Sequence, residues 1–196
     1  GRCKMELLNP LISEYTWANK PSVAPLGQII CVTDIGENGS LWRGNGTNWI
    51  KLNPIKLYTS VTPFVLTGTL VETTMGSMTI KGGLLGLNGQ IKVYPVFTKG
   101  TGTTNRAIKV NLDGGQCFGS VFATTTTYSA IVTIRNQNSE SSQKTSGNFA
   151  VGGIGAGTSN LNTTANTAND TTLTITGTLA NTGEPLTLDG FVVEIF

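Results

Sequence analysis

The cleanest alternation of apolar and polar residues in the 196-residue sequence is Thr171-Thr-Leu-Thr-Ile-Thr-Gly-Thr-Leu179. Successive side chains of a β-strand point to opposite faces of the sheet. The stretch therefore predicts a strand with Leu173, Ile175 and Leu179 facing inward. The side chains predicted to face outward are Thr172, Thr174, Thr176 and Thr178. Threonine is abundant throughout, with 31 residues, and its β-branched side chain favours strands.

Similar runs recur between residues 71 and 196. The other candidate strands are Ser77–Lys81, Gln90–Phe97, Arg106–Leu112, Gly115–Thr124, Ser129–Arg135, the weaker Phe149–Ile154, and Gly190–Phe196. The residues predicted to face inward on the second and third of these are Ile91, Val93, Phe97, Ile108, Val110 and Leu112. About eight short strands at this spacing indicate an antiparallel two-sheet sandwich, and a jelly roll fits well. An eight-stranded Greek-key barrel remains the alternative.

Residues 27–53 predict a small β-meander. Its strands are Gly27–Thr33, Leu41–Arg43 and Trp49–Leu52, and Asn38-Gly39 is a hairpin signal between the first two. A sheet of this size has too little core to be stable alone, so it must pack on a neighbour. Residues 1–26 are predicted to be an N-terminal extension and a candidate attachment segment. Residues 54–70, with Pro54 and Pro63, are predicted to be a linker.

Composition excludes several classes of function. The sequence has no histidine, which removes Ser-His-Asp and Cys-His catalysis and most zinc sites. Charged residues are 12% and the net charge is +2, so duplex nucleic acid is not an expected partner. No apolar run approaches the ~20 residues of a membrane helix, so no membrane insertion is expected.

The remaining reactive side chains form no recognisable motif. Cys31 and Cys117 lie in apolar runs and are predicted to be small buried hydrophobes, whereas Cys3 is predicted to be an exposed thiol. The scattered carboxylates considered are Glu72, Asp113, Glu140, Asp170, Glu184, Asp189 and Glu194. Two of them could converge as a glycosidase pair, but their spacing does not argue for it. We therefore predict no catalytic, metal-binding or cofactor-binding residues and no cofactor.

The aromatic and polar segments leave binding open. Trp17, Trp42 and Trp49 could stack on sugar rings, but core packing of the meander is favoured. The polar runs Arg135–Asn148 and Gly155–Asp170 are predicted to be long loops, a usual place for recognition. Two strands have apolar residues on both faces, Gln116–Phe122 and Gly190–Phe196. Either a second subunit or the protein's own loops would cover them.

Three strings in the N-terminal part resemble a module of tailed-bacteriophage structural proteins. They are Tyr15-Thr-Trp-Ala-Asn-Lys-Pro21, Gly27-Gln-Ile-Ile-Cys-Val-Thr-Asp-Ile-Gly36 and Gly39-Ser-Leu-Trp-Arg-Gly-Asn-Gly-Thr-Asn-Trp49. The last is a Trp hairpin, in which Asn45 stands where aspartate is usual. Residues 131–143 and 172–196 are similar to the jelly-roll-like domain that often follows this module. Most of residues 15–196 share the resemblance.

The resemblance implies a non-enzymatic virion component on a tail fibre or the head surface, often trimeric. We therefore expect a fibre-type virion protein that attaches through its N-terminal part to other virion proteins. Its jelly roll would be exposed on the particle to a host-surface glycan or protein, through residues that the sequence does not identify. The alternatives are a capsid decoration protein and a soluble carbohydrate-binding module.

Overall fold

The computed structural model describes residues 12–52, 54–123, 127–151, 154–155 and 161–196. These residues form sixteen strands and no helix, which confirms the all-β prediction. The strands are β1 Ser13–Tyr15, β2 Ile29–Val32, β3 Ser40–Gly44, β4 Trp49–Lys51, β5 Ile55–Ser60, β6 Phe64–Leu66, β7 Thr73–Ile80, β8 Gln90–Lys99, β9 Arg106–Leu112, β10 Gly115–Phe122, β11 Thr127–Asn136, β12 Gln143–Val151, β13 Ile154–Gly155, β14 Leu161–Thr163, β15 Thr171–Leu179 and β16 Leu186–Ile195. With no helix among them, these residues also contain no candidate membrane-spanning helix.

The first of two compact units contains the described residues up to Tyr58 together with Glu194–Phe196. Its sheet has the order β1-β2-β3-β4. The three predicted meander strands are present as β2, β3 and β4, paired antiparallel. Strand β1, in the predicted N-terminal extension, adds a parallel edge strand by pairing with β2. Residues 12–26 thus contribute a strand, while residues 1–11, including Cys3, lie outside the described residues.

The second unit, Thr59–Val193, contains the predicted two-sheet arrangement. One sheet has the order β10-β9-β15-β7, and the other contains β13-β12-β11-β8-β16 in that order, with β14 on β12 and β6 on β16. The sheets meet through apolar side chains. A Cβ atom built on Gly147 of β12 would lie 2.0 Å from the Phe118 ring of β10, so the two strands face each other closely. This sandwich-like antiparallel architecture confirms the predicted fold class.

The predicted inward faces of β8, β9 and β15 are confirmed, because all nine side chains named for them are at most 3% exposed. One outward prediction is wrong. Thr176 is buried beside a register irregularity in the pairing of β15 with β7, where β7 carries the extra residue, Met75. The extra residue of a bulge is left unpaired, and β15 itself keeps its alternation, with an unbroken register to β9 from Leu173 to Leu179. The hydroxyl of Thr176 is satisfied by donating to Glu72 Oε1 at 2.7 Å.

A second irregularity explains the doubly apolar strand β10. The register shifts between Gln116 and Phe118, and both Cys117 and Phe118 are fully buried. Val121, further along the same strand, is 61% exposed. The strand therefore buries consecutive apolar residues at the bulge and leaves one large apolar side chain on the surface.

Strands also occur where the sequence predicts linker and loop. The predicted linker 54–70 contains β5 and β6, and the polar run Arg135–Asn148 contains the end of β11 and most of β12. Candidate strand Phe149–Ile154 is instead the end of β12 and the start of β13, with residues 152–153 outside the described residues. In the second polar run, β14 occupies Leu161–Thr163, and residues 156–160 lie outside the described residues.

The inward-facing residues of β12 include polar ones. The strand therefore lacks the alternation of apolar and polar residues by which a strand is predicted from sequence. Gln143 and Thr145 are buried there. The Gln143 amide donates to Asn136 Oδ1 at 3.0 Å and to the Ala165 carbonyl at 3.0 Å. Hydrogen bonds of this kind make the burial of a polar side chain tolerable. A polar segment can therefore be a central strand here.

Candidate functional site

The tryptophans of the first unit are used in packing. Trp42 is 2% exposed, and its Nε1 donates to Ser40 Oγ at 2.8 Å. The Trp17 ring lies 5.0 Å from the Trp42 ring between centroids, and Trp49 Nε1 donates to the Pro21 carbonyl at 2.7 Å. The predicted packing role is confirmed for Trp42, which is too buried to stack on a sugar.

Four of the carboxylates considered above each have a separate structural partner. Glu72 pairs with Lys109 at 2.6 Å, and Asp170 pairs with Lys81 at 3.0 Å. Glu184 pairs with the buried Arg106 at 2.8 Å. Asp189 accepts a hydrogen bond from Thr98 at 2.8 Å. Within the described part of the chain, no group of three or more His, Cys, Asp or Glu residues could hold a metal ion.

Acid stability should depend measurably on Glu72. Hydrogen bonds from Lys109 and then Thr176 hold its pKa below the usual 4.5. A carboxyl group with a lowered folded-state pKa contributes stability above its unfolded-state pKa, and the contribution is lost as pH falls through the folded-state pKa. We expect Glu72→Gln to destabilise the protein at pH 7 and to flatten the fall in stability between about pH 5 and 2. Urea midpoints across this range measure it, with Glu14→Gln as control; an unchanged pH profile would contradict the expectation.

Neither described cysteine should be reactive in the folded protein. Cys31 is 2% exposed and Cys117 is fully buried, as predicted. Burial raises the pKa of the Cys117 thiol to about 12, so almost none of it is thiolate at pH 8. A Cys3→Ser variant titrated with a thiol reagent should therefore show no fast reaction until it is denatured, and then two thiols. A fast-reacting thiol in the folded variant would show that one of the two sites opens.

A polar concavity of the second unit lies on the outward face of β11, β12 and β14. It is a groove of about 760 Å³. Its lining residues are Thr133, Arg135, Gln137, Lys144, Thr145, Ser146, Leu161 and Asn162. The predicted polar run Arg135–Asn148 supplies five of these eight residues, although as strand and turn rather than as one long loop. We refer to this site as the polar groove.

Strand register sets the layout of the polar groove. Arg135 on β11 lies directly opposite Lys144 on β12, which in turn lies opposite Asn162 on β14. In the next outward row, Thr133 lies opposite Ser146. These five side chains therefore form two adjacent rows on one sheet face. Both cations of the groove stand in the same row.

Hydrogen bonds within the protein fix two residues that line the polar groove, Arg135 and Thr145. The Arg135 guanidinium donates through Nε and Nη2 to Gln90 Oε1, at 3.1 and 2.7 Å. Below the surface, Thr145 donates to the Cys117 carbonyl at 2.7 Å and accepts from the Leu161 backbone N–H at 3.3 Å. Thr145 thus ties β14 to β12 and to the opposite sheet. The arrangement orients one cation and gives the groove a rigid floor.

A smaller concavity in the first unit has a different electrostatic character. It measures about 230 Å³ and is lined by residues 37–41 and 54–56. Two of its lining residues, Glu37 and Lys56, form an ion pair at 2.8 Å. Their charges offset each other, whereas the polar groove is lined by two cations and no acidic residue. The polar groove is therefore the stronger candidate for ligand binding.

Comparison with known proteins assigns no family. No protein-family model matches the sequence, and no curated protein matches it. An insecticidal delta-endotoxin from Bacillus thuringiensis aligns at 12% identity and a TM-score of 0.36, over 68% of this chain and 19% of the toxin. Lectin I from Ulex europaeus, solved with the methyl glycoside of α-L-fucose, aligns at 8% identity and a TM-score of 0.36, over 73% of this chain and 91% of the lectin.

A viral structure gives a similar result. The infectious bursal disease virus Gt strain structure aligns at 13% identity and a TM-score of 0.34, over 76% of this chain and 34% of the viral chain. This chain spans only 19% of the endotoxin and 13% of latent PorU from Porphyromonas gingivalis, another structure that it matches. At these scores the matches assign no ligand and no function.

Proposed function

We propose that this protein is a non-enzymatic bacteriophage virion structural protein of fibre type, assembled as a homotrimer. Its N-terminal part would attach to other virion proteins, and its β-sandwich would be exposed on the particle surface to bind a host-surface glycan or protein. The Trp hairpin resemblance supports the phage assignment. The observation that supports assembly into a homotrimer is an exposed apolar segment, Val61–Val71, in the second unit.

Five large hydrophobic side chains of this segment are exposed within eleven residues. Their exposed fractions are Val61 80%, Phe64 39%, Val65 55%, Leu70 54% and Val71 71%. Single exposed hydrophobic residues are ordinary, but several within one short segment make that segment a candidate interaction surface. Part of the segment is β6, which pairs with Leu186–Leu188 of β16. Burial of this segment between subunits would remove its apolar side chains from water.

The segment and the polar groove share no residues. Assembly through Val61–Val71 would therefore leave the groove lining available to a ligand. This division suits a fibre subunit, which must join its neighbours and also contact the host. The groove equally favours a second candidate, a monomeric carbohydrate-binding module. Oligomeric state separates these two functions.

Light scattering at several concentrations tests the assembly. We expect a concentration-independent mass near three times 20.6 kDa. Val65→Lys should shift the mass toward monomer, because a buried charge is strongly unfavourable at an apolar interface. Leu87→Lys is the matched control, since Leu87 is 53% exposed outside the segment. A monomeric wild-type protein would overturn the trimer, and a trimer insensitive to Val65→Lys would remove the segment from the interface.

Immunogold labelling of intact phage particles tests the location. Label on tail or head fibres supports the proposal. Label spread over the head shell would replace it with capsid decoration. Absence of the protein from purified particles, checked by mass spectrometry, would overturn the virion assignment altogether.

A further inference from the structure

We infer that the polar groove binds an acidic saccharide, with a sugar carboxylate held between Arg135 and Lys144. The inference rests on the proposed function, in that it names the ligand class of the exposed sheet face. It follows from three features of the groove: the placement of its cations, the absence of acidic lining residues, and the neutral side chains around them.

The two cations occupy an electrostatically unfavourable position. Arg135 and Lys144 are cross-strand partners in an antiparallel pair. Directly opposite side chains have Cβ atoms about 5 Å apart, and like charges there destabilise a sheet. No acidic residue lines the groove to offset them. An anion bound between the two side chains would relieve this repulsion, so the groove has an electrostatic preference for one.

The Arg135 guanidinium uses two of its three nitrogens in hydrogen bonds within the protein and leaves the third for a ligand. Its Nε and Nη2 donate to Gln90 Oε1, which fixes the plane of the group. The remaining nitrogen, Nη1, donates no hydrogen bond to any of the described residues. A carboxylate could accept from Nη1 and from Lys144 Nζ at once. Charge-assisted hydrogen bonds of this type are the stronger class of hydrogen bond.

The surrounding groups suit a sugar rather than a bare anion. Thr133 and Ser146 present hydroxyl groups beside the cationic row, and Asn162 flanks Lys144 with an amide. These are donors and acceptors of the kind that bind sugar hydroxyls. Leu161 adds an apolar surface for the C–H face of a ring. A volume of about 760 Å³ accommodates a short oligosaccharide.

Isothermal titration with paired probes tests the inference. One pair is tetragalacturonate and its neutral methyl ester, and the other is sialyllactose and lactose. We expect one acidic probe to bind, and its neutral partner to bind at least about tenfold more weakly. The two pairs distinguish a uronic acid from a sialic acid. Binding should also weaken as salt is raised to ~0.5 M, because the cations are at the surface.

Matched variants locate the binding. The double variant Arg135→Gln, Lys144→Gln should lose at least about tenfold in affinity, and Arg43→Gln, an exposed arginine in β3, should not. Ser146→Glu keeps both cations but adds an anion to the groove, so it should also lose binding. Circular dichroism verifies that each variant is folded. Equal binding of acidic and neutral probes, unchanged affinity in these groove variants, or no binding of either acidic probe overturns the inference.

The two proposals fail separately. A trimer on phage particles that binds neither acidic probe would overturn the ligand class and leave the virion function standing. A protein absent from particles that binds an acidic probe through Arg135 and Lys144 would retain the groove assignment and overturn the virion function.

Discussion

Phe118→Ala should lower the free energy of unfolding by about 4 kcal/mol, because it removes a fully buried aromatic ring from between the two sheets. The ring lies against β12 at Gly147, where a built Cβ atom would approach it to 2.0 Å. No neighbouring side chain projects from Gly147 to refill the space. The cavity left by the truncation should therefore persist. Urea unfolding followed by circular dichroism measures the change.

Val121→Ala is the matched control for this prediction. It lies in the same strand, but Val121 is 61% exposed. Its effect should stay within about 0.5 kcal/mol. A loss at Phe118 no larger than the loss at Val121 would show that the sheets are not in close contact at this point.

A substitution at Gly147 tests the same contact from the opposite sheet by adding a side chain instead of removing one. Gly147→Ala should be destabilising by about 1–3 kcal/mol, because the new methyl group would overlap the Phe118 ring. Phe118→Leu in the Gly147→Ala background should recover part of that loss. Additive effects of the two substitutions would mean that the two side chains do not touch.

Arg106→Met should lower the free energy of unfolding by about 3 kcal/mol. Arg106 is fully buried, and its Nη1 lies 2.8 Å from Glu184 Oε2. The guanidinium also donates to the backbone carbonyls of Thr104 and Thr101, at 2.5 and 3.2 Å. Methionine fills much of the space but leaves all of these acceptors without the donor. Thermal and urea unfolding measure the loss.

Two further variants distinguish the contribution of the Arg106–Glu184 ion pair to stability from the contribution of side-chain packing. Lys81→Met breaks the pair with Asp170, in which both side chains are more than half exposed, so stability should barely change. Arg106→Met combined with Glu184→Met should be less destabilising than the sum of the single changes, because the unpaired carboxylate is gone. An Arg106→Met protein as stable as the wild type would show that the guanidinium contacts contribute no net stability.

The strands could be predicted from the sequence wherever their inward-facing residues are apolar. Strands β8, β9 and β15 carry regular aliphatic alternation, and their predicted inward residues are all buried. Strand β12 could not be predicted, because its inward positions include Gln143 and Thr145. Their burial depends on acceptors supplied by other segments, such as the carbonyls of Ala165 and Cys117. No local pattern in the sequence contains that information.

The polar groove could be anticipated only as a polar segment. Five of its eight lining residues lie in the run Arg135–Asn148, but the loop interpretation gives them no defined relation to one another. The outward alternation of Lys144, Ser146 and Asn148 was the available signal, and the polar residues between them obscured it. Only the pairing of β11 with β12 puts Arg135 opposite Lys144.

The sequence was sufficient to predict the all-β class, the apolar faces of the aliphatic strands and the packing role of Trp42. Each depends on residues one or two positions apart or on side-chain size, which is local information. The three-dimensional structure was needed to establish the bulges at Cys117 in β10 and Met75 in β7, the burial of Gln143 and the position of Arg135 opposite Lys144. The physical reason is that register and hydrogen-bond satisfaction depend on partners far away along the chain.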